Sequence, residues 1–128
     1  MKGEQFIAEV RDVAELDTNE DAQKAIRATL ETLKERLAGN EPANLAAQLP
    51  PEIAPYAAGE GGREAFPVEE FYDRVAQKEG LDHDEAVRHA RAVATVVQTA
   101  VTGGELDDVR SQLGKDYEEL FGQPGASA

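Results

Sequence analysis

The chain has 128 residues, no cysteine, and 26 acidic against 13 basic side chains, for a formal charge of −13. That excludes a disulfide framework, a thiolate-bound zinc and a cysteine nucleophile. The excess is shared between the halves, −6 over residues 1–64 (7 basic, 13 acidic) and −7 over residues 65–128 (6 basic, 13 acidic), so no nucleic-acid partner held by counterion release is expected.

From the start of the chain, Phe6, Ile7, Val10, Val13 and Ala14 recur at spacings of three and four and predict an amphipathic helix. Acids appear from Glu4 onward, and no apolar run reaches a signal peptide or the roughly 20 residues of a membrane span, so a soluble cytoplasmic protein without a membrane partner is expected. Thr18 with Asp21 reads as a variant capping box. It opens a long helix with Ala22, Ile26, Thr29, Leu30, Leu33 and Leu37 on one side, which Gly39-Asn40 is expected to end. A short helix across Pro42–Leu49 follows, broken by Pro50-Pro51 before a last turn through Tyr56.

Residues 58–65 are rich in glycine and lack periodic apolar positions, which predicts a flexible connector. Phe66-Pro67 then opens a second series. Phe71, Tyr72 and Val75 form a stripe, and Asp82 with Glu85 forms a capping box. A long helix bears Ala86, Ala90, Val93, Val97 and Val101 and is expected to end at Gly103-Gly104. Leu106, Val109 and Leu113 line a short helix, Tyr117, Leu120 and Phe121 anchor a last turn, and residues 122–128 form a flexible tail. No stretch alternates at period two for the length of a strand. The fold class is all-α, a bundle of six to eight helices in one domain over residues 1–122.

The two series match. A shift of 65 sets Phe6 on Phe71, Val10 on Val75, Leu16 on Leu81 and Asp17 on Asp82. A shift of 64 then sets Ala22 on Ala86, Arg27-Ala28 on Arg91-Ala92, Gly39 on Gly103, Glu41 on Glu105, and Gln48-Leu49 on Gln112-Leu113. Two copies are too few for a solenoid. A pair of tandem repeats, 1–57 and 66–121, packed about a pseudo-twofold axis is the expected architecture.

Arg27 and Arg91 occupy matching places on the long helices, and acids recur after each helix (Glu41; Glu105, Asp107, Asp108). A bidentate guanidinium–carboxylate pair across the interface is the expected role of both arginines. Of the two histidines, His83 falls in a helix cap. His89 lies one turn after Glu85, where both reach one side of the helix. One His and one Glu fall short of a zinc site, and no metal or cofactor is expected. The runs at Asp17 and Asp82 fail as calcium loops, since Ala22 replaces the sharp-turn glycine of the first and Ala28 and Val93 stand where each needs its bidentate Glu. No Walker loop, nucleophile elbow or H-E-x-x-H motif is present.

The runs Arg27-Ala28-Thr29-Leu30-Glu31-Thr32-Leu33, Leu45-Ala46-Ala47-Gln48-Leu49-Pro50 and His89-Ala90-Arg91-Ala92-Val93 resemble the prokaryotic domain-of-unknown-function family 2267. So do Gly103-Gly104-Glu105-Leu106-Asp107-Asp108-Val109 and Tyr117-Glu118-Glu119-Leu120-Phe121. The resemblance implies a small all-helical protein, in an acidic, lysine-poor version similar to those of salt-loving archaea, and it implies no reaction. The leading expectation is a non-enzymatic protein that binds a protein partner or itself through a helix face, with small-residue stripes (Ala43, Ala46, Ala47; Ala90, Ala94) allowing close approach. The alternative is a metal- or small-ligand-binding protein or enzyme using His89 and Glu85 in the cleft between repeats.

Overall fold

The computed structural model describes residues 1–121, which form seven α-helices and one 3₁₀ turn and contain no β-strand. In order these are α1 (Gly3–Ala14), α2 (Asn19–Arg36), α3 (Glu41–Ala46), α4 (Ala54–Ala57), α5 (Val68–Glu79), α6 (His83–Ala100), α7 (Gly103–Gln112) and the 3₁₀ turn Lys115–Glu119. None of these helices is long and apolar enough to cross a membrane. The tail expected at residues 122–128 lies outside the described residues.

Each long helix starts on a side-chain cap. Thr18 Oγ1 accepts the amide of Asp21 at 3.1 Å, and Asp82 Oδ1 accepts that of Glu85 at 2.9 Å, satisfying amides that have no partner inside the helix. The helices stop earlier than the glycines suggest. Leu37 and Val101 turn extended, with ψ of 160° and 161°, and close the last turns through Leu33 and Val97 carbonyls. Gly103 and Gly104 do not end α6; they open α7, because Thr102 Oγ1 takes the amide of Glu105.

The α5 bounds lie 65 residues after those of α1, and the α6 bounds lie 64 after those of α2. α1 packs on α2 and α6, α5 packs on α6 and α2, and α2 crosses α6. The core between these four contains Phe6, Val10, Ile26, Leu30, Phe71, Tyr72, Val75, Ala90, Val93 and Val97, all buried. Val13, expected in the buried stripe, is half-exposed at 50% instead. Ala90 and Ala94 are buried in this core and so offer no outer face, whereas Ala43 and Ala47 are exposed.

Beyond the four long helices, α3 packs on α4 and α7, and the two series exchange hydrogen bonds. Gln48 Oε1, after α3, accepts the amide of Thr102 at 2.7 Å; Gln112 Oε1, in α7, accepts that of Ala38 at 2.9 Å. Residues 38 and 102, like 48 and 112, stand 64 apart. Each glutamine thus ties down the loop after the other series' long helix. Arg36 adds to the join, donating to the carbonyls of Phe66 and Gln112, and Tyr117 Oη donates to the Phe66 carbonyl at 2.7 Å.

The connector is not the free linker that its glycines suggest. The amides of Gly61, Gly62, Arg63 and Glu64 donate to the carbonyls of Gly39, Lys34, Leu37 and Glu35. The last carbonyls of a helix need outside partners, and the connector supplies them for Lys34 and Glu35 of α2. Glycine is required for this approach: a Cβ on Gly62 would stand 2.6 Å from the Glu35 carbonyl oxygen, and one on Gly61 would collide with that of Leu37.

Candidate functional site

His89 is buried on α6, one turn beyond Glu85 and beside the carboxyl end of α5. Its Nδ1 lies 2.9 Å from Glu79 Oε1 and 3.2 Å from Oε2, and the side chains are only 4% and 2% exposed. A carboxylate only accepts, so against ionised Glu79 the ring proton sits on Nδ1. The second ring nitrogen, Nε2, is buried and has no hydrogen-bond partner. Buried polar atoms without partners are uncommon, because water lost on folding is normally replaced.

A pocket of about 140 Å³ opens beside this pair, lined by Leu16, Asp21, Lys24, Glu79, Leu81, Glu85 and His89. Leu16, Asp21 and Lys24 belong to the first helical series and the others to the second. The structure therefore brings the expected residues Glu85 and His89 to one pocket between the two. Glu79 was missed by sequence reasoning. It sits ten residues from His89, and its counterpart at shift 65 is Ala14, so neither local spacing nor the internal match points to it.

The expected arginine pairing is corrected. Arg27 is 66% exposed, and its Nε donates to Glu31 at 3.1 Å, one turn along the same helix. Arg91 is exposed and lines a groove with Val13, Asp84, Val87, Arg88, Ala92 and Thr95. Neither joins the acids that follow the long helices. Both side chains are exposed, and among the described residues neither pairs with a carboxylate of the opposite series. The join is made by Arg74 and Lys78 of α5, which pair with Glu35 of α2 at 3.0 and 2.9 Å, while Arg74 also holds Glu64 and Glu70 and lies 3.9 Å over the Phe66 ring. Burial alone would raise the Glu35 carboxyl, but the hydrogen bonds and charges of Lys78 and Arg74 outweigh it and hold it below the ordinary carboxylate range. His83 remains a cap residue, its ring nitrogens 3.3 Å from Asp73 and 3.4 Å from Glu69.

A second cluster lies where α3 meets α7. Glu41 and Glu105, matched at shift 64, are only 9% and 8% exposed, and each keeps Oε2 buried without a partner. With Asp108 they form the one group of three metal-type ligands among the described residues, one oxygen of each lying within 4.8 Å of the others. Burial first, and the Glu41 carboxylate second, push the Glu105 carboxyl up to about 7. His89 and Glu85 belong to no such group.

A family model described as uncharacterized conserved protein (DUF2267) matches residues 3–120, and the chain belongs to that family. No curated protein matches it.

Proposed function

From membership of DUF2267 and the pocket between the helical series, we propose a non-enzymatic cytoplasmic binding protein, built by duplication, whose ligand is a small organic cation. The observation that carries this reading is that pocket, whose lining brings Asp21, Glu79, Glu85 and His89 of two helical series together, with His89 Nε2 buried and unpartnered. Asp21, Glu79 and Glu85 outnumber Lys24 there, which favours a positive guest, and Leu16 and Leu81 supply apolar walls for a short alkyl chain. The volume suits a molecule of a few heavy atoms. Recurrence of helix bounds and of the glutamine contacts supports the duplicated origin. The acid excess and the scarcity of lysine support adaptation to a salty archaeal cytoplasm.

Titrating the labelled chain with ethylammonium and with butane-1,4-diammonium tests the reading. Saturable shifts of the His89 ring nitrogen, weakened at least tenfold in Glu85→Gln, are expected. Shifts absent at millimolar amine, or unchanged in that variant, would refute it.

The groove at Arg91 favours a second reading, association of two copies. Asp84 and Arg91 stand seven residues apart on α6, about two helical turns. Two antiparallel copies therefore bring each Asp84 to the other's Arg91, around Val13 and Val87. Light scattering on the wild type, on Arg91→Asp, and on Asp84→Arg combined with Arg91→Asp checks it. A dimer, a monomer and a restored dimer are the expected series; a monomeric wild type ends this reading.

A further inference from the structure

We infer that Glu41, Glu105 and Asp108 form a binding site for a hard divalent cation that ties α3 to α7. Two carboxylates sharing a buried spot repel each other in a medium that screens poorly, and something positive must accompany them. Three backbone donors of these segments are committed elsewhere. The Glu41 amide goes to the Ala38 carbonyl, the Thr102 amide to Gln48 Oε1, and the Glu105 amide to Thr102 Oγ1. The Oε2 atoms of Glu41 and Glu105 receive no donor from the rest of the chain.

The dimensions suit an ion. Oxygens bound to calcium at roughly 2.3–2.6 Å stand up to about 5 Å apart across the metal, and the three carboxylate oxygens fall within 4.8 Å of one another. An all-oxygen set selects magnesium, calcium or manganese over softer metals. Asp108 is exposed and one turn beyond Glu105, so it supplies the third oxygen and leaves the outer face of the ion to water. Because Glu41 and Glu105 come from different helical series, the ion cross-links the two. The site is independent of the His89 pocket and shares no residue with it.

The test is titration of the chelator-stripped full chain with manganese near neutral pH, read by electron paramagnetic resonance, with calcium and magnesium as competitors. One manganese per chain is expected, displaced by either competitor, with a melting temperature that climbs with calcium. In Glu41→Gln combined with Glu105→Gln, manganese binding falls at least tenfold; in Asp107→Asn, outside the cluster, it does not change. The neutral amides relieve the repulsion, so the double variant retains its fold. Unaltered binding in the double variant overturns the proposal. So does absence of manganese binding together with a wild-type melting temperature that acid alone raises, since a shared proton then holds the pair.

Discussion

Gln48 and Gln112, 64 residues apart, make the same hydrogen bond in opposite directions: each accepts an amide from the loop after the other series' long helix. The side chains are polar and lie at the rim, yet they fix how one helical set sits on the other. Neither bond exists within one set alone.

Replacing either glutamine by Ala removes one acceptor and exposes one loop amide. A loss of about 1 kcal/mol is expected for each, and the two losses should add, as they do for separated sites. Urea denaturation of the single and double variants checks both statements.

The Glu105 carboxyl gives a pH signature in chelator-containing buffer. Its folded value, about 7, lies above its ordinary value of 4.5, so the folded chain holds a proton that the unfolded chain releases. This contribution is fully present below about 4.5 and is lost as pH rises towards 7. Glu105→Gln removes that dependence, and the variant should gain on the wild type across this window by on the order of 2 kcal/mol. Chemical denaturation at several pH values measures the difference.

Glu15 closes α1 in the left-handed region with φ 57°, where Gly80 closes α5 with φ 70°. A side chain there is strained, whereas glycine is not. Glu15→Gly is expected to stabilise the chain by about 0.5–1 kcal/mol, seen as a higher melting temperature.

Gly62→Ala should do the reverse, since the added carbon meets the Glu35 carbonyl and breaks the row of amides along the end of α2. A loss of about 2 kcal/mol or more is expected, and hydrogen exchange at residues 61–64 should quicken.

Glu79→Ala strands the His89 imidazole without either partner. A destabilisation of about 2–3 kcal/mol follows from leaving a buried donor unpaired. In the wild type, nitrogen NMR should find the proton on Nδ1.

The helices were legible because their apolar positions repeat at three and four, and because Thr18 and Asp82 are strong caps. The equivalence of Glu41 and Glu105 was legible too, as a matched pair of letters. Their meeting was not, because matched letters do not say which positions fall where the two series touch. Arg27 illustrates the converse: it is matched with Arg91, yet it faces water and a neighbour on its own helix. The connector was misread for a related reason. Glycine signals freedom in a chain that touches nothing, but at residues 61 and 62 it signals a crowded neighbour, and the unpaired carbonyls of α2 that create the crowding leave no mark in the sequence.

The docked connector also bears on how the chain can be handled. Its midpoint resembles the natural place to splice in a reporter, to cut between halves, or to rejoin the ends by circular permutation. Four consecutive amides are in use there, so an insertion would peel the strand from α2 and expose the carbonyls it covers. A graft is better sited beside Met1 and Lys2, which are open to solvent.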